Sequence, residues 1–245
     1  MDHPFAKAGR AGTGHVLDNP VHASLSGPQQ AHLARGRGRA LRYLDDVAPF
    51  LGLPDRPTEQ DWADAADVVG DGTAAFVHHL GAIPQAWTVL DRFDVTQMIA
   101  SETTRGASDT RAVLLGPADV PEMVDLARRT APGPFGTRTI ELGTYLGVRQ
   151  DGVLVAMAGE RMRAAGWVEI SAVCTAPEHR GKGLATGLVR TLTARITDRG
   201  ERAFLHVVAT NTGAVRLYGT LGFEVRRELP LTVLRRPEPG ASGRP

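Results

Sequence analysis

Residues 178–187 read EHRGKGLATG. Gly181, Gly183 and Gly187 stand among His179, Arg180 and Lys182, between an apolar run that ends at Thr175 and another that begins at Leu184. The first run, WVEISAVCT, is rich in aromatic and β-branched residues and reads as a strand. The second places Leu184, Leu188, Leu192 and Ile196 on one helical stripe, with Arg190, Arg195 and Arg199 elsewhere, and predicts a helix over 184–199. The quoted stretch is therefore a strand-to-helix turn. A helix N-terminus offers unpaired N–H groups and the positive end of the helix dipole, which favour phosphate. Gly181 and Gly183 carry no Cβ to block an approach to the backbone, Arg180 adds a planar donor and Lys182 a point charge.

Spacing decides which phosphate. A nucleoside-triphosphate loop needs G-x-x-x-x-G-K-[ST], and here Lys182 follows the first glycine with Gly183 and Leu184 behind it, so that reading fails. A dinucleotide fingerprint would put a third glycine where Thr186 stands, and hairpin-like strands precede the loop instead of the start of a βαβ unit. A loop for the pyrophosphate of a cofactor such as CoA stays open. So does a plain turn whose glycines only join a strand to a helix.

Upstream, RAVLLG (111–116) reads as a strand, ADVPEMVDLARRTA (118–131) as a helix, and PGPFG (132–136) as a loop. YLGVR, GVLVAMAGERM and WVEISAVCT read as three strands joined by short turns. Downstream, AFLHVVA is a strand, Asn211 and Thr212 can cap a helix that stops at Gly222, and FEVRRELPLTVL closes with strands. This alternation predicts a mixed α/β sheet holding one parallel pair bridged by the 184–199 helix. Before residue 105 the pattern is weaker: a helix over 59–69, then short strands in TAAFVHHL and AWTVLDRF. MIASETTRGASDTR turns polar from Ser101 and reads as a linker. The expected division is a flexible tail at 1–22, a smaller divergent α/β domain at 23–105, a larger domain at 106–236 and a flexible tail at 237–245.

Composition narrows the class. Hydrophobic residues make up 42% and charged residues 22% of the 245-residue chain, ordinary values for a globular protein. A formal net charge of +1 does not suit a nucleic-acid binder. Lysine occurs only at Lys7 and Lys182, so the one internal Lys lies in the glycine loop. No run approaches the roughly 18 apolar residues of a membrane span, and the N-terminus lacks the apolar core of a secretory signal. One cysteine, Cys174, cannot form an internal disulfide and fits a reducing compartment; the expectation is a cytoplasmic protein. His78 and His79 are adjacent on a strand and point to opposite faces, so they cannot chelate together, and no metal is expected. His206 reads as a structural residue.

Residues 211–223, NTGAVRLYGTLGF, change the weight of the loop. Together with VCTAPEHRGKGLA, they resemble the GNAT superfamily of acyl-CoA N-acyltransferases, over roughly 111–236 by element order and 173–223 by motif. Arg180, Gly183 and Ala185 match the family's R/Q-x-x-G/A-x-G/A loop. Asn211, Ala214, Leu217, Tyr218, Leu221, Gly222 and Phe223 match its second motif, in the manner of the glycine N-acyltransferase branch. The resemblance implies a GNAT fold whose parallel pair surrounds the CoA site. It assigns the pyrophosphate to Arg180, Gly181, Lys182, Gly183, Leu184, Ala185 and Thr186. The pantetheine arm and thioester carbonyl fall to the strand segment Val173, Cys174 and Thr175. Cys174 itself reads as a small strand residue, with no His evidently beside it to form a thiolate nucleophile. Asn211 either binds the pantetheine or only caps its helix.

Tyr218 is the implied general acid for the leaving thiolate; its alternative is a core position on the face it shares with Ala214, Leu217 and Leu221. A phenol pKa near ~10 lies above that of a thiol near ~8.5, so the site would have to tune the transfer. The resemblance implies as base either a carboxylate on the strand before the loop or a water chain; Glu169, on that strand, and Glu160, on the strand before it, are the candidates, though a solvent-facing strand carboxylate is the first reading of each. A one-residue slip would turn Glu169 to the other face. Phe135 and Glu141 fall where the family shapes its acceptor site. The implied activity is transfer of an acetyl or other acyl group from acetyl-CoA to a primary amine of a small molecule or peptide, without an acyl-enzyme, by a monomer or homodimer. The alternative is a catalytically silent acyl-CoA sensor that binds a partner through 23–105.

Overall fold

The computed structural model describes residues 14–70, 73–78 and 81–236. After a 3-10 turn at Val16–Asp18 come α1 (Pro20–Ser26), β1 (Ala34–Arg37), β2 (Ala40–Tyr43), β3 (Leu51–Gly52), α2 (Glu59–Val69), β4 (Ala74–Val77) and β5 (Thr88–Ala100). Then follow β6 (Val113–Leu114), α3 (Val120–Thr130), β7 (Tyr145–Gln150), β8 (Val153–Ala164), β9 (Trp167–Thr175), α4 (Leu184–Asp198), β10 (Arg202–Val208), α5 (Thr212–Thr220) and β11 (Phe223–Arg235). α2 starts where Thr58 and Asp61 cap each other's backbone, Asp61 accepting from the Thr58 N–H at 2.7 Å.

β1, β2 and β3 form a small antiparallel sheet, and the other eight strands form one sheet in the order β4-β11-β5-β10-β9-β8-β7-β6. Its one parallel pair is β9 with β10, bridged by α4 as the alternation predicts. Strand alternation sends neighbouring side chains to opposite faces. On one face Val168, Ile170, Ala203 and Leu205 pack under Leu188, Val189, Leu192 and Ile196 of α4. On the other, Met162, Trp167 and Phe204 meet Leu17, Val21 and Leu25. Met123 and Leu126 of α3 cover Leu154, Met157 and Cys174 on that same side.

Three expectations change. Residues 14–22, expected within a loose tail, are docked: Leu17 and Val21 are buried, His15 meets Trp167 edge-on at 5.7 Å, and Asn19 donates to the Leu53 carbonyl at 2.7 Å. Sparse apolar residues among Gly, Pro and His show no period, yet each finds a distant pocket. Residues 1–13 and the expected tail at 237–245 lie outside the described residues.

The expected boundary near 105 does not divide the sheet. β5, from the N-terminal region, is inserted between β10 and β11, and pairs with β11 from Phe223↔Ala100 to Arg235↔Thr88 across two register shifts. The short strand expected in AWTVLDRF is thus a long one reaching into the presumed linker at Ala100. The rest of that linker lies along α4, the Ala107 N–H donating to the Arg190 carbonyl at 3.2 Å. Gly106 has to be glycine there, because a Cβ would stand 2.4 Å from the Ala194 backbone nitrogen. No helix among the described residues is long and apolar enough to cross a membrane.

Candidate active site

The site begins where the parallel pair comes apart. β9 and β10 are in register only from Arg202↔Trp167 to Phe204↔Glu169. Beyond Glu169, β9 bulges: Gly159↔Ser171 and Met157↔Cys174 enclose one extra residue on β9, and Ala172 sits in the left-handed region at φ 53°. A bulge leaves an unpaired residue and bends its strand. The β9 edge beyond Glu169 therefore faces away from the β10 ladder. Between the diverging strands lies a cavity of about 280 Å³. Ser171, Ala172 and Val173 of β9, Val207 and Val208 of β10, and Asn211, Ala214 and Tyr218 at the start of and along α5 line it.

At the end of β9, Gly181 and Gly183 take φ values of 76° and 72°, a region costly for residues with a Cβ. Gly183 is the N-cap of α4 and supplies no side-chain cap. The first helical bond runs from the Gly187 N–H to the Gly183 carbonyl at 3.0 Å. The N–H groups of Leu184, Ala185 and Thr186, in the first turn, have no residue four positions back within the helix to bond. A Cβ on Gly181 or Gly183 would meet nothing within 4 Å, so the mouth of the helix is open. Arg180 and Lys182 are exposed beside it; Arg180 Nε donates to the Thr175 carbonyl at 3.4 Å, and Lys182 Nζ lies 3.4 Å from His179 Nδ1. An uncapped helix end flanked by two cations and an unladdered strand edge fits a pyrophosphate with an extended arm.

Tyr218 lies in the cavity wall, with its ring edge on Phe223 at 6.1 Å. Burial pushes its phenol up to about 12. Among the described residues no group hydrogen-bonds its hydroxyl. Asn211 caps its helix, Oδ1 accepting from the Ala214 N–H at 3.1 Å, and the residue also lines the cavity. Cys174 is buried under α3, and burial raises its thiol pKa, which removes the thiolate a nucleophile needs.

Neither carboxylate is solvent-facing, and neither lines the cavity. Glu160 is fully buried between Arg163 Nη2 at 2.7 Å and Arg199 Nη2 at 2.8 Å. Glu169 is buried on the N-terminal side of the sheet, bidentate with Arg161 at 2.7 and 2.6 Å and accepting from His206 Nδ1 at 2.8 Å. Burial pushes its pKa up, but the Arg161 guanidinium and its hydrogen bonds outweigh that and hold the carboxyl well below the usual range. Phe135 packs edge-on against Tyr145 at 5.7 Å, and Glu141 is exposed in an ion pair with Arg138 at 2.7 Å. The cavity is reached instead by their neighbours Ala131 to Pro134.

Sequence reasoning missed the opposite wall: Phe50, Phe76, His78, Phe93, Val95, Arg161, His206 and Leu231. These residues are scattered over some 180 positions, Phe50 just before β3, His78 just after β4 and the others on β4, β5, β8, β10 and β11, and no local pattern links them. The two imidazoles have defined tautomers. Gln97 Oε1 accepts from Arg226 at 2.6 Å, so its Nε2 must be the atom that donates to the Leu17 carbonyl at 2.9 Å and to His206 Nε2 at 3.0 Å. His206 is then neutral, with Nδ1–H directed to Glu169. His78, stacked on His206 at 5.3 Å, donates from Nδ1 to the Pro230 carbonyl at 3.2 Å; burial lowers its pKa to about 3.

The family model described as FR47-like protein matches residues 145–230, from β7 into β11. Residues of this chain are 46% identical over 59 positions to the uncharacterized N-acetyltransferase YobR of Bacillus subtilis (strain 168), a match to 24% of that protein's length. A crystal structure of a GNAT-family protein from Novosphingobium aromaticivorans is 40% identical, covering 91% of this chain and 99% of its own, with a TM-score of 0.83. A GCN5-related N-acetyltransferase from Kribbella flavida shares the fold at 18% identity and a TM-score of 0.60, over 92% of this chain and 97% of its own. With likeness that spans nearly the whole of both chains, and with the split parallel pair and glycine loop in place, the chain belongs to the GNAT family of N-acetyltransferases.

Proposed function

We propose that this protein moves an acetyl group from acetyl-CoA directly to a primary amine, with no acyl-enzyme. The observation that carries the reading is the continuity of three features around one cavity. They are the uncapped α4 terminus, the unladdered β9 edge and the Tyr218 side chain, buried in the cavity wall. The N–H groups of Leu184, Ala185 and Thr186, with Arg180 and Lys182, hold the pyrophosphate. The edge of β9 from Val173 to Thr175 pairs with the pantetheine arm, and a backbone N–H near Val173 polarises the thioester carbonyl, where negative charge develops. The amine nitrogen bonds to the acyl carbon, the C–S bond breaks, and the proton lost by nitrogen ends on sulfur. Tyr218 supplies a hydrogen bond to the departing thiolate. With its phenol at about 12, it stabilises that thiolate first and passes on a proton only as a relay.

Both candidate carboxylates, Glu160 and Glu169, are held in ion pairs and neither takes the amine's proton, so in this reading the amine reaches the acyl carbon already neutral. The test is thiol release from acetyl-CoA against a panel of amines, with calorimetry for CoA binding. Amine-dependent release is expected. Binding without release for every amine would leave an acyl-CoA sensor in its place.

A further inference from the structure

The cavity wall opposite Tyr218 carries a specific polar signature. Arg161 spends Nε and Nη2 on Glu169, and its guanidinium lies over the Phe50 ring, 4.6 Å from the centroid. Its third nitrogen, Nη1, has no protein partner among the described residues, although the side chain is only 11% exposed. Among the described residues Arg161 is the one formally charged side chain lining the cavity, and no carboxylate lines it. Glu169 sits behind Arg161 and cancels its charge. His206 is neutral by its hydrogen-bond pattern, and His78 donates to a carbonyl and carries no charge either. Phe50, Phe76, Phe93, Val95 and Leu231 form the remainder of this wall.

We infer that Arg161 is a specificity-determining residue, and that the acceptor is an amine with an aromatic or large apolar body and an uncharged carbonyl oxygen that Nη1 binds, as in an amino-acid amide or a peptide N-terminus. This inference rests on the acyltransfer reading above. A polycationic amine is poorly served, because its second ammonium would find no carboxylate in the wall. A free carboxylate is also disfavoured: Nη1 would attract it while Glu169, on the same guanidinium, repels it. A neutral carbonyl gains the charge-assisted bond without that repulsion.

The experiment compares four acceptors with the wild-type protein: phenylalaninamide, phenylalanine, phenethylamine and spermidine, by kcat/KM for thiol release from acetyl-CoA, counted per neutral amine so that their different ammonium pKa values cancel. Phenylalaninamide is expected to lead phenethylamine by roughly tenfold or more, the size of one hydrogen bond to a charged group, with phenylalanine and spermidine below it. Arg161→Lys should bring the amide-to-phenethylamine ratio toward one. Phenethylamine equal to the amide, phenylalanine above it, or spermidine as the best acceptor would each overturn the inference and leave acyl transfer standing. If none of the four releases thiol while another amine of the panel does, the inference falls and acyl transfer stands; if acetyl-CoA binds and no amine of the panel releases thiol, both fall. The wild-type series decides the question even where Arg161→Lys does not fold.

Discussion

A phenol held at about 12 stays protonated throughout the range in which amines are acylated, so Tyr218 contributes a donor that does not titrate away. Tyr218→Phe keeps the ring and its contact with Phe223 and removes only that donor. Turnover should fall by about a hundredfold or more, while the Kd for CoA stays within a factor of ~2. An equal loss of both would make the residue a packing group. The carboxylates give a second prediction. Glu169 is held ionised by Arg161, Glu160 lies between two arginines, and His78 is neutral above about 3. The low-pH limb of kcat/KM should therefore follow the acceptor's own ammonium pKa. An acceptor of lower amine pKa should move that limb down with it. A limb that stays put as the acceptor changes would mean that an enzyme group takes the proton. Glu169 also shows what one residue of register decides: its place on β9 was legible, but the face it points to was not.

At the scale of elements, α4 and its glycine turn carry the proposed donor site. Gly183 sits at φ 72° and its missing Cβ opens the helix mouth. Gly183→Val would add backbone strain of about 1–2 kcal/mol and place a branched side chain where phosphate oxygens approach. CoA affinity should drop by at least ~30-fold, read by calorimetry, whereas unimpaired binding would remove the pyrophosphate from this loop. α4 and α5 were readable because their apolar stripes repeat at the helical period. The bulge in β9 was not. Its left-handed residue is Ala172, which carries none of the glycine signal that marks such a conformation elsewhere in the chain. The first helix was hidden for a related reason, since its anchors at Val21 and Leu25, with Leu17 in the turn before it, bury against strands more than a hundred residues away.

The whole molecule is built around β5. That strand enters from the N-terminal region, pairs with β10 on one side and β11 on the other, and carries Phe93 and Val95 into the cavity. A fragment of residues 106–236 would therefore leave the β10 and β11 edges unsatisfied and expose Phe204, Leu229 and Leu231. Expressed alone, it should lack a cooperative thermal transition and show fast amide exchange in β10. A sharp transition near that of the full chain would restore the two-domain division that the linker suggested. By itself the sequence determined the elements of the proposed donor half, the strand-to-helix turn and the capped helix bearing Tyr218, because periodicity, glycine and capping act within a few residues. Only the tertiary structure decided the proposed acceptor half. Its wall is assembled from β4, β5, β8, β10, β11 and Phe50 just before β3, and which side chains face the cavity there depends on strand order and register, set by pairing across most of the chain.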